Sequence, residues 1–170
     1  SHPGVTSPTR RGNYVTSRFL CDEVPPPPPG VVPVLPEDPG EPETLREKLA
    51  RHATDPTCAS CHTAMDPIGL AFEHFDPIGK YREQDRGLDL DVTGDVVGLG
   101  AFSGPRELGQ RIADDDRMPD CIVASFVRSS LGHIEEGPER YALRDLSERF
   151  VDGGYRVQDR KSTRLNSSHA

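Results

Sequence analysis

The chain has 170 residues, 34% of them hydrophobic, no Trp and a formal net charge of −8, enough for one modest domain or two small ones. That acid excess leaves no electrostatic footprint for nucleic acid or anionic lipid, and no apolar run approaches transmembrane length. With 17 Pro and 16 Gly in the sequence, the side chains alone make a thin core, which a large buried cofactor would thicken.

The first predicted element is a helix over residues 7–24, opened by a Ser or Thr cap, with Val15 and Phe19 one turn apart and Tyr14 and Leu20 beside them. The run "PPPPPG" at 25–30 ends it, and extended geometry to about Gly40 reads as a stiff spacer or strap. "PETLREKLARHA" predicts a helix with Leu45 and Leu49 on one face. In "DPIGLAFEHFDPIG", Asp66 is suited to cap a helix whose first position is Pro67, running to about Phe75. The second "DPIG" would then end it, so both copies read as similar turn-and-cap devices.

Beyond these, "LDLDVTGDVVG" predicts a small hairpin about a Thr-Gly-Asp turn. "SGPRELGQRIA" predicts a short capped helix and "PDCIVASFVRSSLGH" a mostly buried one. "GPERYALRDLSERFVDGG" predicts an amphipathic helix with Leu143, Leu146 and Phe150 on one face and Gly153 as its stop. The final "DRKSTRLNSSHA", 159–170, is polar and patternless and looks like translated sequencing adapter, and the start at Ser1 without Met fits a fragment of a longer protein.

The chemistry concentrates at "CASCH", Cys58 to His62. C-x-x-C-H is the attachment signature of c-type haem, in which two closely spaced thiols take the porphyrin edge and the next imidazole reaches the iron. A random chain of this composition would contain it only about 0.003 times. Cys58 and Cys61 are thus the candidate thioether anchors and His62 the candidate proximal ligand.

A zinc site using His52 or His74 is an alternative, although the second His of a finger spacing would fall at 78–80, where the chain has Ile, Gly and Lys. A thioredoxin-like motif lacks its preceding strand. For the sixth iron ligand, Met65 is too near His62 to cross to the other haem face. Met118 is better spaced but sits in polar "DDDRMPD", and His74 and His133 are further candidates. A five-coordinate iron stays open. No nucleophile–base arrangement or phosphate loop stands out.

Nearly end to end, the chain resembles the planctomycete-type cytochrome c-like family, large bacterial proteins built from domains of unknown function 1588 and 1585. "SPTRRGNYV" and "PPPPPGV" match one block, and "TLREKLARHATDPTCASCHTAMDPIGLAFEHFDPIGKYR" matches the core. "LDVTGDVVG", "FSGPRELGQRI" and "CIVASFVRSSLGH" match the adjoining terminal domain. The resemblance implies a C-terminal, haem-bearing fragment of an exported multidomain protein, extracytoplasmic in a bacterium (periplasmic or cell-surface).

In that compartment disulfides persist, so Cys21 and Cys121 are either bridged or two separate buried thiols. The expected fold is mainly α, a cytochrome c-like helical haem module with a proline-rich extended strap and a small β-hairpin. Its expected parts are an N-terminal helix plus strap (1–40), a haem-attachment block (41–86), a terminal helical domain (87–158) and the non-native tail (159–170). The expected function is electron transfer by one covalent haem c, with a redox partner protein or other domains of the parent chain as partner. A haem-based catalytic module with an open distal site, or a structural zinc or disulfide module, is the alternative.

Overall fold

The computed structural model describes residues 5–25, 40 and 42–156. Nearly all of the proline-rich run and the adapter-like tail fall outside these residues. Among the described residues the protein is mainly helical, with six helices and two small antiparallel sheets, and it forms two compact units, Ser1–Asp115 and Asp116–Ala170.

In the first unit, α1 (Pro8–Phe19) starts with Pro at its opening position, though Ser7 makes no side-chain cap. Its buried face is Pro8, Gly12, Val15 and Thr16, while Tyr14 and Phe19, expected to pack, are exposed. The reason is the closeness of its neighbour α3 (Pro56–Leu70). A Cβ on Gly12 would lie 1.9 Å from the Met65 carbonyl oxygen, and one on Gly69 would lie 1.8 Å from that of Pro8. Two backbones this close leave room for small residues only.

The helix α2 (Leu45–His52) opens on a reciprocal capping box between Thr44 and Glu47 and buries Leu49. Its Arg46 reaches across to the backbone oxygens of Asp91 and Thr93.

The helix α3 departs from expectation. It begins at the Asp55 cap and Pro56, runs unbroken through Cys58, Cys61, His62, Asp66 and Pro67, and ends at Leu70 rather than near Phe75. Asp66 caps nothing. Pro67 removes one donor from the helical ladder, yet burial of Met65, Ile68 and Leu70 carries the helix past it.

The second "DPIG" does form a turn. The Asp76 carboxylate accepts from the backbone N–H groups of Ile78 and Lys80, both at 2.9 Å, and Gly79 takes a left-handed φ of +87°. One tetrapeptide therefore adopts two structures.

Strands β1 (Gln84–Asp85) and β2 (Leu88–Asp89) pair about Arg86 and Gly87, both at positive φ, as a tight primed hairpin turn requires. The larger hairpin joins β3 (Thr93–Val96) to β4 (Gly100–Ser103). Its turn is at 97–99, with left-handed Gly98 and Gly100, not at Thr93-Gly94-Asp95. Gly94 lies in β3, where a Cβ would strike the Phe102 ring. The helix α4 (Gly104–Ala113) follows directly and buries Leu108 and Ile112.

A buried ionic cluster locks the end of α3 to α1. Glu73, 2% exposed, accepts from Thr6 Oγ1 at 2.7 Å and pairs with Arg82 at 3.0 Å and Arg11 at 3.3 Å. Burial pushes the Glu73 carboxyl pKa up, and the Thr6 hydroxyl and both guanidiniums oppose that push. Arg11 also donates to the carbonyls of Phe72, Phe75 and Asp76, closing the turn that leaves the helix. Replacing Glu73 with Ala removes the buried carboxylate that two partly buried guanidiniums and the Thr6 hydroxyl share, and we expect a loss of about 3 kcal/mol in denaturant titration. A change under about 1 kcal/mol would show the cluster to be solvated.

The second unit pairs α5 (Arg117–Leu131) with α6 (Glu139–Asp152). The helix α5 buries Pro119, Cys121, Val123 and Ala124, but Phe126 and Leu131 are about half exposed, so it is less buried than its composition predicts. Left-handed Gly132 ends it. Arg128 grips Glu135 through two hydrogen bonds of 2.7 and 2.6 Å, which hold that carboxyl at about 2, below its ordinary 4.5. The folded state therefore binds the proton less readily than the unfolded chain. This pair stabilises above about pH 4.5, and its contribution disappears as pH falls towards 2. The stability difference between the wild type and Glu135→Gln should shrink over that interval, and a difference independent of pH would refute the assignment.

Candidate functional site

The motif residues lie in the first half of α3, with Asp55 accepting from the Thr57 backbone N–H at 2.8 Å to start the helix. That hydrogen bond holds the Asp55 carboxyl below its ordinary value. Residues three and four apart share a helix face. Cys58, Cys61 and His62 are therefore brought together by local structure alone. Both thiols are free and half-buried, whereas Cys21 and Cys121 are disulfide-bonded.

One turn further on, Asp66 receives His62. Its Oδ2 lies 2.8 Å from His62 Nδ1, and its Oδ1 accepts from Thr9 Oγ1 of α1 at 2.8 Å. A carboxylate only accepts, so Nδ1 carries the hydrogen and Nε2 is the nitrogen left for a ligand. The His52 ring of α2 meets the His62 ring edge-on, centroids 4.8 Å apart. From sequence Asp66 reads only as a cap and turn residue, and Thr9 is not singled out. The clue was the i, i+4 spacing of His62 and Asp66, hidden by reading Asp66 as a cap.

The remaining candidates fall elsewhere. Met65 is buried against α1 at Gly12. His74 lies past the end of α3 with its ring against Tyr81. In the second unit, Met118 is half-buried at the start of α5, and exposed His133 faces Glu139 at 3.1 Å. Among the described residues no three His, Cys, Asp or Glu side chains converge as ligands for one ion.

The donor set has the chemistry covalent haem requires. It offers two reduced thiols on one face and an imidazole whose Nδ1 is engaged and whose Nε2 is not. Residues 1–85, half of the chain, match the family model described as PSCyt3, protein of unknown function (DUF1588). The chain belongs to this family. PSCyt3 is the planctomycete cytochrome c-like domain family, and the match spans α1, α2, α3 and the Cys58–His62 motif. No curated protein and no solved structure matches the chain. Among the described residues no helix is long and apolar enough to cross a membrane.

Proposed function

We propose that this PSCyt3 chain is a c-type cytochrome module that carries one covalent haem for electron transfer, as part of a larger exported bacterial protein. The observation that carries the reading is the joint state of one helix face: Cys58 and Cys61 are free thiols, and His62 is anchored through Nδ1. Cys58 and Cys61 would hold the haem by adding S–H across its vinyl groups, which would need reduced sulfur and no oxidant. His62 would hold the iron through Nε2. Bound haem supplies a one-electron couple, tuned by the ligand and the hydrogen bonds around it. Asp66 holds the imidazole in orientation, and Pro56 and Asp55 start the helix on which all three attachment residues are spaced.

The expected setting is the periplasm or cell surface, where disulfides are stable, and the electron passes to a redox partner protein or to other domains of the parent chain. The test is expression of the full chain in a periplasm equipped for cytochrome c maturation, followed by haem-peroxidase staining of a denaturing gel. A stained band is expected; an abundant, folded, colourless protein overturns the reading. Carbon monoxide then separates carrier from catalyst. A low-spin ferrous spectrum unmoved by the gas marks an electron carrier, and one that shifts marks an open distal site. Repeating the measurement on Met118→Ala reports whether Met118 holds the sixth position.

A further inference from the structure

We propose that Asp66 is a positioning residue that sets the donor strength of His62, and that Thr9 counter-tunes it from α1. This rests on the reading of His62 as an axial haem ligand. Buried carboxylates need compensation, and the two among the described residues are compensated in different ways. Glu73 takes two guanidiniums. Asp66, 7% exposed, is paired with no Lys or Arg among the described residues, and its oxygens are divided between the His62 ring and the Thr9 hydroxyl. Its charge is therefore directed at an imidazole and moderated by one neutral donor.

A carboxylate accepting from Nδ1–H pushes electron density towards Nε2 and makes the ring a stronger ligand. A stronger donor favours the ferric over the ferrous state and lowers the reduction potential. The Thr9 hydroxyl draws on the same carboxylate and weakens that push. The two contacts thus have opposite signs. Asp66→Asn, which keeps size and removes charge, should raise the potential. Thr9→Val, which removes the competing hydroxyl, should lower it, and Thr9→Ser should restore it.

The geometry that permits this comes from the α1–α3 crossing. Gly12 and Gly69 bring the helix backbones close enough for a short Thr side chain to reach across. A helix pair spaced by larger residues would leave Thr9 out of range.

The experiment measures the midpoint potentials of the haem-loaded chain and the three variants by spectroelectrochemistry. A parallel arm needs no haem: nitrogen NMR of the His62 ring in the full chain expressed without it. The expected results are opposite potential shifts for Asp66→Asn and Thr9→Val, rescue by Ser, and an Nδ1–H tautomer in the wild type that is lost in Asp66→Asn. Shifts of the same sign, or none, overturn the inference while leaving the haem reading intact, because mere loosening of α3 moves both variants alike. An Nε2–H tautomer in the folded wild type also overturns it. A chain that never acquires covalent haem overturns the reading itself, and the gel reveals this before any potential is read.

Discussion

Replacing both Cys58 and Cys61 with Ala is expected to abolish haem retention under denaturing conditions, with the fold preserved. Both side chains are half-buried free thiols within α3; Cys61 Sγ accepts only a long 3.9 Å contact from Ser60 Oγ, and neither is as buried as Ile68. Ala is the best helix former, so the helix loses little, and we expect a stability change within about 1 kcal/mol. The haem signal should fall from full to none, since both thioether bonds are gone and only a reversible iron–imidazole contact remains. Single substitutions should leave one thioether and a weaker stain. Haem staining, paired with far-UV circular dichroism, checks both halves. A double variant that keeps its stain would show that the attachment lies elsewhere.

The second large effect is expected at the helix crossing. Gly→Ala in a helix ordinarily stabilises by about 1 kcal/mol. At Gly69 the sign should reverse, because the new Cβ would sit 1.8 Å from the Pro8 carbonyl oxygen, and at Gly12 it would sit 1.9 Å from that of Met65. The obstructing atoms are backbone on both sides, so no flexible side chain can swing away and the helices must separate. We expect each change to cost about 3 kcal/mol, at the upper end for overpacking, and the pair to unfold the first unit. Gly109→Ala in α4 is the control: its Cβ would meet nothing within 4 Å, and it should be neutral or slightly stabilising. Thermal melts of the three variants decide the matter, and equal melting temperatures would mean that the crossing tolerates expansion. Because this crossing also delivers Thr9 to Asp66, Gly12→Ala and Gly69→Ala should disturb the candidate site without touching it.

Much of the local structure could be read from the residue order. "PETLREKLARHA" reads as a helix with Leu49 on its apolar face, and α2 forms there with Leu49 buried. Gly153 ends α6 as read, and Phe150 faces inward from it as its period predicts. The C-x-x-C-H spacing places three donors together whenever the segment is helical, because the i, i+3 and i+4 relations are properties of one helix. These features depend on interactions within a few residues, and a sequence carries such interactions explicitly.

Contacts at long range decided what local signals left ambiguous. Both "DPIG" copies carry the same cap and turn chemistry. The copy at Asp76 follows it, while the copy at Asp66 is absorbed into α3 by apolar burial on either side of its Asp-Pro step, at Met65, Ile68 and Leu70. Of the large apolar residues expected to pack at α1, Val15 and Leu20 are buried, but Tyr14 and Phe19 are exposed, and the closest approach is made by Gly12 because Gly69 on another helix allows it. Asp66 acquires its partner Thr9 from 57 positions away, and Glu73 acquires Thr6 and Arg11 from a similar distance. The candidate attachment donors were therefore legible in the sequence alone. The carboxylate that orients His62 was decided by how two helices cross, since burial rewards the arrangement of the whole chain and overrides a helix-start signal of about 1 kcal/mol.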